Sequence, residues 1–194
     1  MIDRKEFDSI KKEIEDFDEK RDRIIKDSRN VLKLSKMIIY SLHREELNKA
    51  EKYLKSIKEE LSNLKKHAKK NPELLCLPSY KVAFQEYVEA AAYFHLLKSK
   101  RLITRKELGV SAEQYILGVC DLIGELVRKA VNSAIRENYK TAFEIREFVS
   151  EIYALLLGFD FRNGELRKKF DSIKYELKKL DEIVLDLKLK EKTF

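Results

Sequence analysis

The chain has 194 residues, 44% hydrophobic and 39% charged, with a formal net charge of +7; that length suits one ordinary domain with a sizeable core. Five glycines and two prolines are too few for the turns of a β protein and argue for long helices. No apolar stretch approaches the ~18 residues of a helical membrane span, and no apolar run follows a basic start, so neither a membrane anchor nor a signal peptide is expected. Cys76 and Cys120 lack metal-ligand spacing and read as reduced thiols, in keeping with a cytoplasmic protein.

Taken in chain order, residues 3–42 carry a helical period: Phe7, Ile10, Ile14, Phe17, then Ile24, Ile25, Val31, Leu32, Ile38 and Ile39. A second helix runs through Leu47, Tyr53, Leu54, Ile57, Leu61 and Leu64. The bend between them is placed at 43–46, although no residue there forces one. Asn71-Pro72 and Pro78-Ser79 bracket a loop, because proline disfavours helix at the residue before it. A third helix is predicted over 79–100 with Ser79 as N-cap. Gly109 closes a short piece at 104–108, and Ser111 caps a helix over 112–137. Thr141, with Glu144 three residues on, predicts a capping box for a helix over 142–157. A loop from Gly158 to Gly164 precedes a last helix, 165–189, striped by Leu166, Phe170, Ile173, Leu177, Leu180, Val184 and Leu187. The expected architecture is all-α: a single domain, 1–194, forming an antiparallel bundle of six to seven helices.

Two of these helices carry acids in apolar settings. FQEYVEAAAYFH (84–95) is apolar nearly all round, yet Glu86 and Glu89 stand three residues apart and share a face. YILGVCDLIGELVRKAVNSA (115–134) repeats the pattern with Asp121 and Glu125, four apart. Gly118 and Gly124 flank that pair, and mid-helix glycine, which costs about 1 kcal/mol against alanine, suggests close approach by another backbone. Clustered carboxylates need compensating cations or donors. Hard divalent ions, Mg²⁺ or Mn²⁺, prefer such oxygen ligands, and metal-bound water is a route to hydrolysis. Ion pairing competes with that reading, since Arg128 lies three residues after Glu125. A di-iron carboxylate bundle would need Glu-x-x-His motifs, and the relevant positions hold Glu89 and Arg128. His95 lies off the Glu86/Glu89 face. There is no Ser-His-Asp or Cys-His arrangement, no phosphate-binding glycine loop and no zinc spacing.

Lys26, Arg29, Lys33 and Lys36 recur at three, four and three residues and form one stripe of the first helix; Tyr40 and Arg44 continue it, with His43 at its edge. A row of one sign suits a polyanion whose phosphates would neutralise it, and spaced cations on a long helix suit backbone contact more than base readout. A solvated lysine-rich face is the competing explanation.

KRDRIIKDSR and SKMIIYSLHR (20–44), FQEYVEAAAYFHLLKSKRLIT (84–104), YILGVCDLIGELVRKAVNSA (115–134) and LRKKFDSIKYELKKLDEIVLDLKLK (166–190) resemble, in this order, the translin/Trax family. The resemblance implies a translin-like helical fold. In that family Trax is the catalytic subunit and translin the RNA-binding one. The chain looks like a compact archaeal Trax-type member, with a short connection from Thr104 to Gln114 and no basic N-terminal extension. By resemblance, Glu86, Glu89, Asp121 and Glu125 fall on the positions of a Mg²⁺-dependent endoribonuclease site, with Mn²⁺ as the other candidate ion. Lys26, Arg29 and Lys36 fall in the helix that supplies RNA contacts, and Lys33 shares their stripe. The implied partners are RNA, single-stranded or structured, with ssDNA as a further ligand, and other copies of the chain in a hollow homo-oligomer, an octamer being favoured. The alternative is a non-catalytic, RNA- or ssDNA-binding translin-like oligomer.

Overall fold

The computed structural model describes residues 2–69 and 71–191. It is 86% helical, and the described residues form seven α-helices and no strand. These are α1 (Arg4–His43), α2 (Leu47–Ala68), α3 (Pro78–Ser99), α4 (Arg105–Leu108), α5 (Ala112–Ile135), α6 (Tyr139–Leu157) and α7 (Glu165–Glu191), with a 3₁₀ turn at Pro72–Cys76. None of them is long and apolar enough to cross a membrane. The chain divides into two compact units, 1–94 and 95–194, the division falling within α3.

In the first unit α1 and α2 form an antiparallel pair. His67 Nδ1 lies 2.7 Å from Asp27 Oδ2, and Asn30 Nδ2 donates to Glu60 Oε2 at 3.2 Å. One face of α1 is buried through Ile24, Ser28, Val31, Ser35, Ile38 and Leu42, and one face of α2 through Ala50, Leu54, Ile57, Leu61 and Leu64. Each large aliphatic side chain so buried stabilises the pair by about 1.5–3 kcal/mol. Because α2 ends opposite Asp27, the start of α1 extends beyond it. Phe7, Ile10 and Ile14, which open the apolar period, are 65%, 42% and 57% exposed.

The bend at 43–46 is a Schellman closure. The Glu46 N–H donates to the Ser41 carbonyl at 2.9 Å and the Glu45 N–H to Leu42 at 3.1 Å. Glu45 takes the left-handed φ of 62° that glycine usually supplies. The end of α5 repeats the device, with Asn138 bonded to Ser133, Glu137 bonded to Ala134, and Glu137 at φ 59°. Among the described residues only α4 uses glycine for it, with Gly109 at φ 64°.

In the second unit α5, α6 and α7 pack together. Arg146 Nε donates to Asp181 at 2.8 Å, and the Tyr153 and Phe170 rings stack at 5.5 Å, so α6 and α7 run antiparallel. Ser111 caps α5 as its sequence implies, in a capping box with Gln114. Two expected caps are corrected. Helix α3 starts at Pro78, so Ser79 sits in its first turn rather than at the cap. Helix α6 starts at Tyr139, where the Asn138 side chain accepts from the Thr141 N–H; Thr141 is therefore already helical and its box with Glu144 is not the start.

Candidate nucleic-acid interface and carboxylate pairs

The burial of α1 along Ile24, Val31, Ile38 and Leu42 fixes what its other side shows. At ~100° per residue, Lys26, Arg29, Lys33, Lys36, Tyr40 and Arg44 fall within an arc of about 80° on the opposite side. All six are exposed. Arg29, Leu32, Lys33, Lys36, Met37 and Tyr40 line a shallow groove along the helix. Among the described residues none of Lys26, Arg29, Lys33 and Lys36 makes an ion pair. Arg44 is different: its Nε donates to Glu46 at 2.8 Å, its Nη1 to the Tyr40 hydroxyl at 3.4 Å, and its guanidinium stands 5.7 Å from the Tyr40 ring centre. Those bonds to Tyr40 and Glu46 hold the guanidinium pKa above its usual value.

Helix α3 buries Phe84, Tyr87, Val88, Ala90, Ala91, Ala92, Tyr93 and Phe94. Within the first unit, the Tyr93 hydroxyl lies 3.4 Å from His43 Nδ1 and Lys65 Nζ stands 5.2 Å from the centre of the Phe84 ring. Burial lowers the Lys65 pKa. In this setting Glu89 is only 7% exposed, and Glu86, one turn earlier, is half-buried. A carboxylate at 7% exposure is costly without compensation, so Glu89 is unlike the many solvated acids of α1 and α7.

Helix α5 carries the second pair. Lys169 of α7 reaches across to donate to Asp121 Oδ1, with both side chains 25% exposed. Arg128 lies 3.8 Å from Glu125, whose side chain is 24% exposed, as the three-residue spacing implies. Burial, and secondarily the Asp121 charge, pushes the Cys120 thiol up to about 12, with Lys169 opposing; Cys120 is a buried, protonated thiol, while Cys76 is exposed. The suggestion that glycine admits a close backbone fails at Gly124. A Cβ added there would meet nothing within 4 Å.

The donor set suits a hard divalent cation. It is all carboxylate oxygen, and the two members of each pair lie about one helical turn apart. Among the described residues, however, no group of three or more His, Cys, Asp and Glu side chains stands together as an assembled metal cage. Asp121 and Glu125 have their cations from Lys169 and Arg128. Residue spacing identified Arg128; it could not identify Lys169, 48 residues from its partner.

A cationic outer helix face together with apolar helices bearing acid pairs defines an all-α protein with one polyanion-compatible surface and two carboxylate-bearing helices. Its lineage is specific: the chain belongs to the Translin family, whose model matches residues 19–191. It is similar to Translin of Gallus gallus, 31% identical over 125 residues, which cover 57% of this chain and 55% of that protein. It is also similar to Translin-associated protein X of Rattus norvegicus, 25% identical over an alignment covering 95% of this chain and 78% of that protein. The chain thus spans just over half of the first relative and more than three quarters of the second. Among solved structures, the crystal structure of apo-NeC3PO matches with a TM-score of 0.85 and 31% identity, over 95% of this chain and 97% of that one. A structure of AfC3PO in complex with duplex RNA matches with a TM-score of 0.85 and 25% identity, over the same shares.

Proposed function

We propose that this protein is a divalent-metal-dependent endoribonuclease that binds RNA on the cationic face of α1 and works as an oligomer, in the fullest form a homo-octamer. The observation that carries the proposal is the burial of Glu89 in an apolar helix, one turn from Glu86. Acidic side chains are seldom this buried, so two of them on one face of an apolar helix mark a candidate functional site. The likeness to C3PO structures, one of them an RNA complex, supports the same reading.

The residues proposed to hold Mg²⁺ or Mn²⁺ are Glu86, Glu89, Asp121 and Glu125. The ion would supply an activated water and offset charge on the scissile phosphate. The chain's own residues have separate tasks. Lys26, Arg29, Lys33 and Lys36 bind phosphates and steer the strand. The apolar neighbours of Glu89 limit water around its carboxylate and fix its rotamer, and Lys169 holds Asp121 in place until another cation competes for it.

A second reading has its own support. Asp121 and Glu125 are engaged by Lys169 and Arg128, as they would be in a non-catalytic RNA- or ssDNA-binding oligomer whose acids are structural. The double variant Glu89→Gln/Asp121→Asn separates the two. The nuclease reading expects cleavage of labelled single-stranded RNA to be lost while RNA binding and assembly persist. Undiminished cleavage by the double variant overturns it, and absence of cleavage in the unaltered protein with Mg²⁺ or Mn²⁺ favours the binding protein.

A further inference from the structure

Tyr40 stands where packing has no use for an aromatic ring. The α1 side chains buried in the first unit, Ile24, Val31, Ile38 and Leu42, lie on the far side of the helix, and Tyr40 is 57% exposed among cations. Its edge is held in place, because Arg44 donates to its hydroxyl and places its guanidinium 5.7 Å from the ring centre, while Glu46 fixes Arg44 from behind at 2.8 Å. The ring closes one end of the groove formed by Arg29, Lys33, Lys36 and Met37. At ~1.5 Å per residue, Arg29, Lys33, Lys36 and Tyr40 are spaced about 4–6 Å apart along the axis. A row of phosphate-binding cations that ends in a presented aromatic face is the pairing by which proteins hold unpaired nucleic acid, where cations track the backbone and the ring stacks on a base.

We propose that Tyr40, braced by Arg44, is a stacking platform for one unpaired RNA base at the end of the α1 groove. The inference rests on the RNA-binding reading and adds a base-contacting residue to it. A base inside a duplex has both faces occupied by its neighbours and cannot reach the ring, so a blunt duplex would engage only the cations.

The test compares the unaltered chain with Tyr40→Ala, Tyr40→Phe and Tyr40→Trp, using a labelled uridine oligomer of about 12 nucleotides and a blunt RNA duplex of equal length. Tyr40→Ala should weaken binding of the oligomer about 5- to 150-fold and leave the duplex unchanged, and Tyr40→Phe should keep most of the oligomer affinity. The chain has no tryptophan, so Tyr40→Trp gives a single reporter whose fluorescence the oligomer should quench and the duplex should not. Equal loss on both ligands, no loss on either, or an unquenched tryptophan in a variant that still binds the oligomer overturns the platform while leaving RNA binding intact. If the unaltered chain binds neither RNA, the functional reading fails and the platform with it.

Discussion

Lys169 occupies the carboxylate of Asp121, so a divalent ion taking that oxygen must first displace an ammonium group. The pair is three-quarters buried, which places it between an exposed ion pair, ~0.2–1 kcal/mol, and a buried pair whose disruption costs ~3–5 kcal/mol. About 1–2 kcal/mol is a reasonable figure for the competition, equivalent to about 5- to 30-fold in an apparent metal constant. Lys169→Met keeps much of the aliphatic stem and removes the competing charge. Titration of the full chain with Mn²⁺ by calorimetry should therefore show tighter binding by that factor, and the gain should disappear when Asp121→Asn is added. Lys169→Met should also lower thermal stability slightly, since the Lys169–Asp121 ion pair is lost while Asp121 remains partly solvated. Unchanged or weaker Mn²⁺ binding in Lys169→Met would refute the reasoning, because Lys169 and the metal would then not share Asp121.

Three further outcomes follow from local geometry. Gly124→Ala fills open space at an exposed position of α5 and should stabilise the chain by about 0.5–1 kcal/mol, raising Tm by about 1–4 °C; a lower Tm would mean that another copy's backbone packs against that position. Glu137→Gly relieves a left-handed residue at φ 59°, whose strain of about 1–2 kcal/mol exceeds the added freedom of glycine in the unfolded chain, so it should raise the urea midpoint, and a lowered midpoint would show that the glutamate contributes more than its strain costs. The Cys120 thiol is pushed up to about 12 in the folded chain, against about 8.5 when unfolded. The unfolded chain therefore releases this proton first, and stability should decline as pH rises above about 9, without any effect from this group below that. A thiol-reactive dye at pH 8 should modify Cys76 alone in the folded chain and both cysteines in denaturant, and rapid modification of Cys120 in the folded chain would contradict its burial.

The sequence and the structure agree where local chemistry decides the outcome. Long helices follow from the lack of glycine and proline, Ser111 is a cap because its hydroxyl reaches the Gln114 N–H, and Gly109 ends α4 because it tolerates φ 64°. The basic stripe was legible from spacing alone, since any helix holding Ile24, Val31 and Ile38 inward must turn Lys26, Arg29, Lys33 and Lys36 outward. The bend at 43–46 left no signature because glutamate, not glycine, takes the left-handed position there. Thr141 fits a capping box in sequence, yet Asn138 captures the helix start three residues earlier with its own side chain. The Lys169–Asp121 contact joins α5 and α7, and no periodicity within either helix encodes it. The open space beside Gly124 likewise depends on what packs there, which its residue type cannot tell.

The account turns on metal-dependent cleavage of RNA by this chain. The most direct measurement incubates the purified chain with end-labelled single-stranded RNA in Mg²⁺, and in parallel with excess EDTA, and resolves the products on a denaturing gel. The expected result is internal cleavage with Mg²⁺, abolished by EDTA and restored by adding Mn²⁺. RNA left intact in both metals, or cut equally well in EDTA, would contradict it.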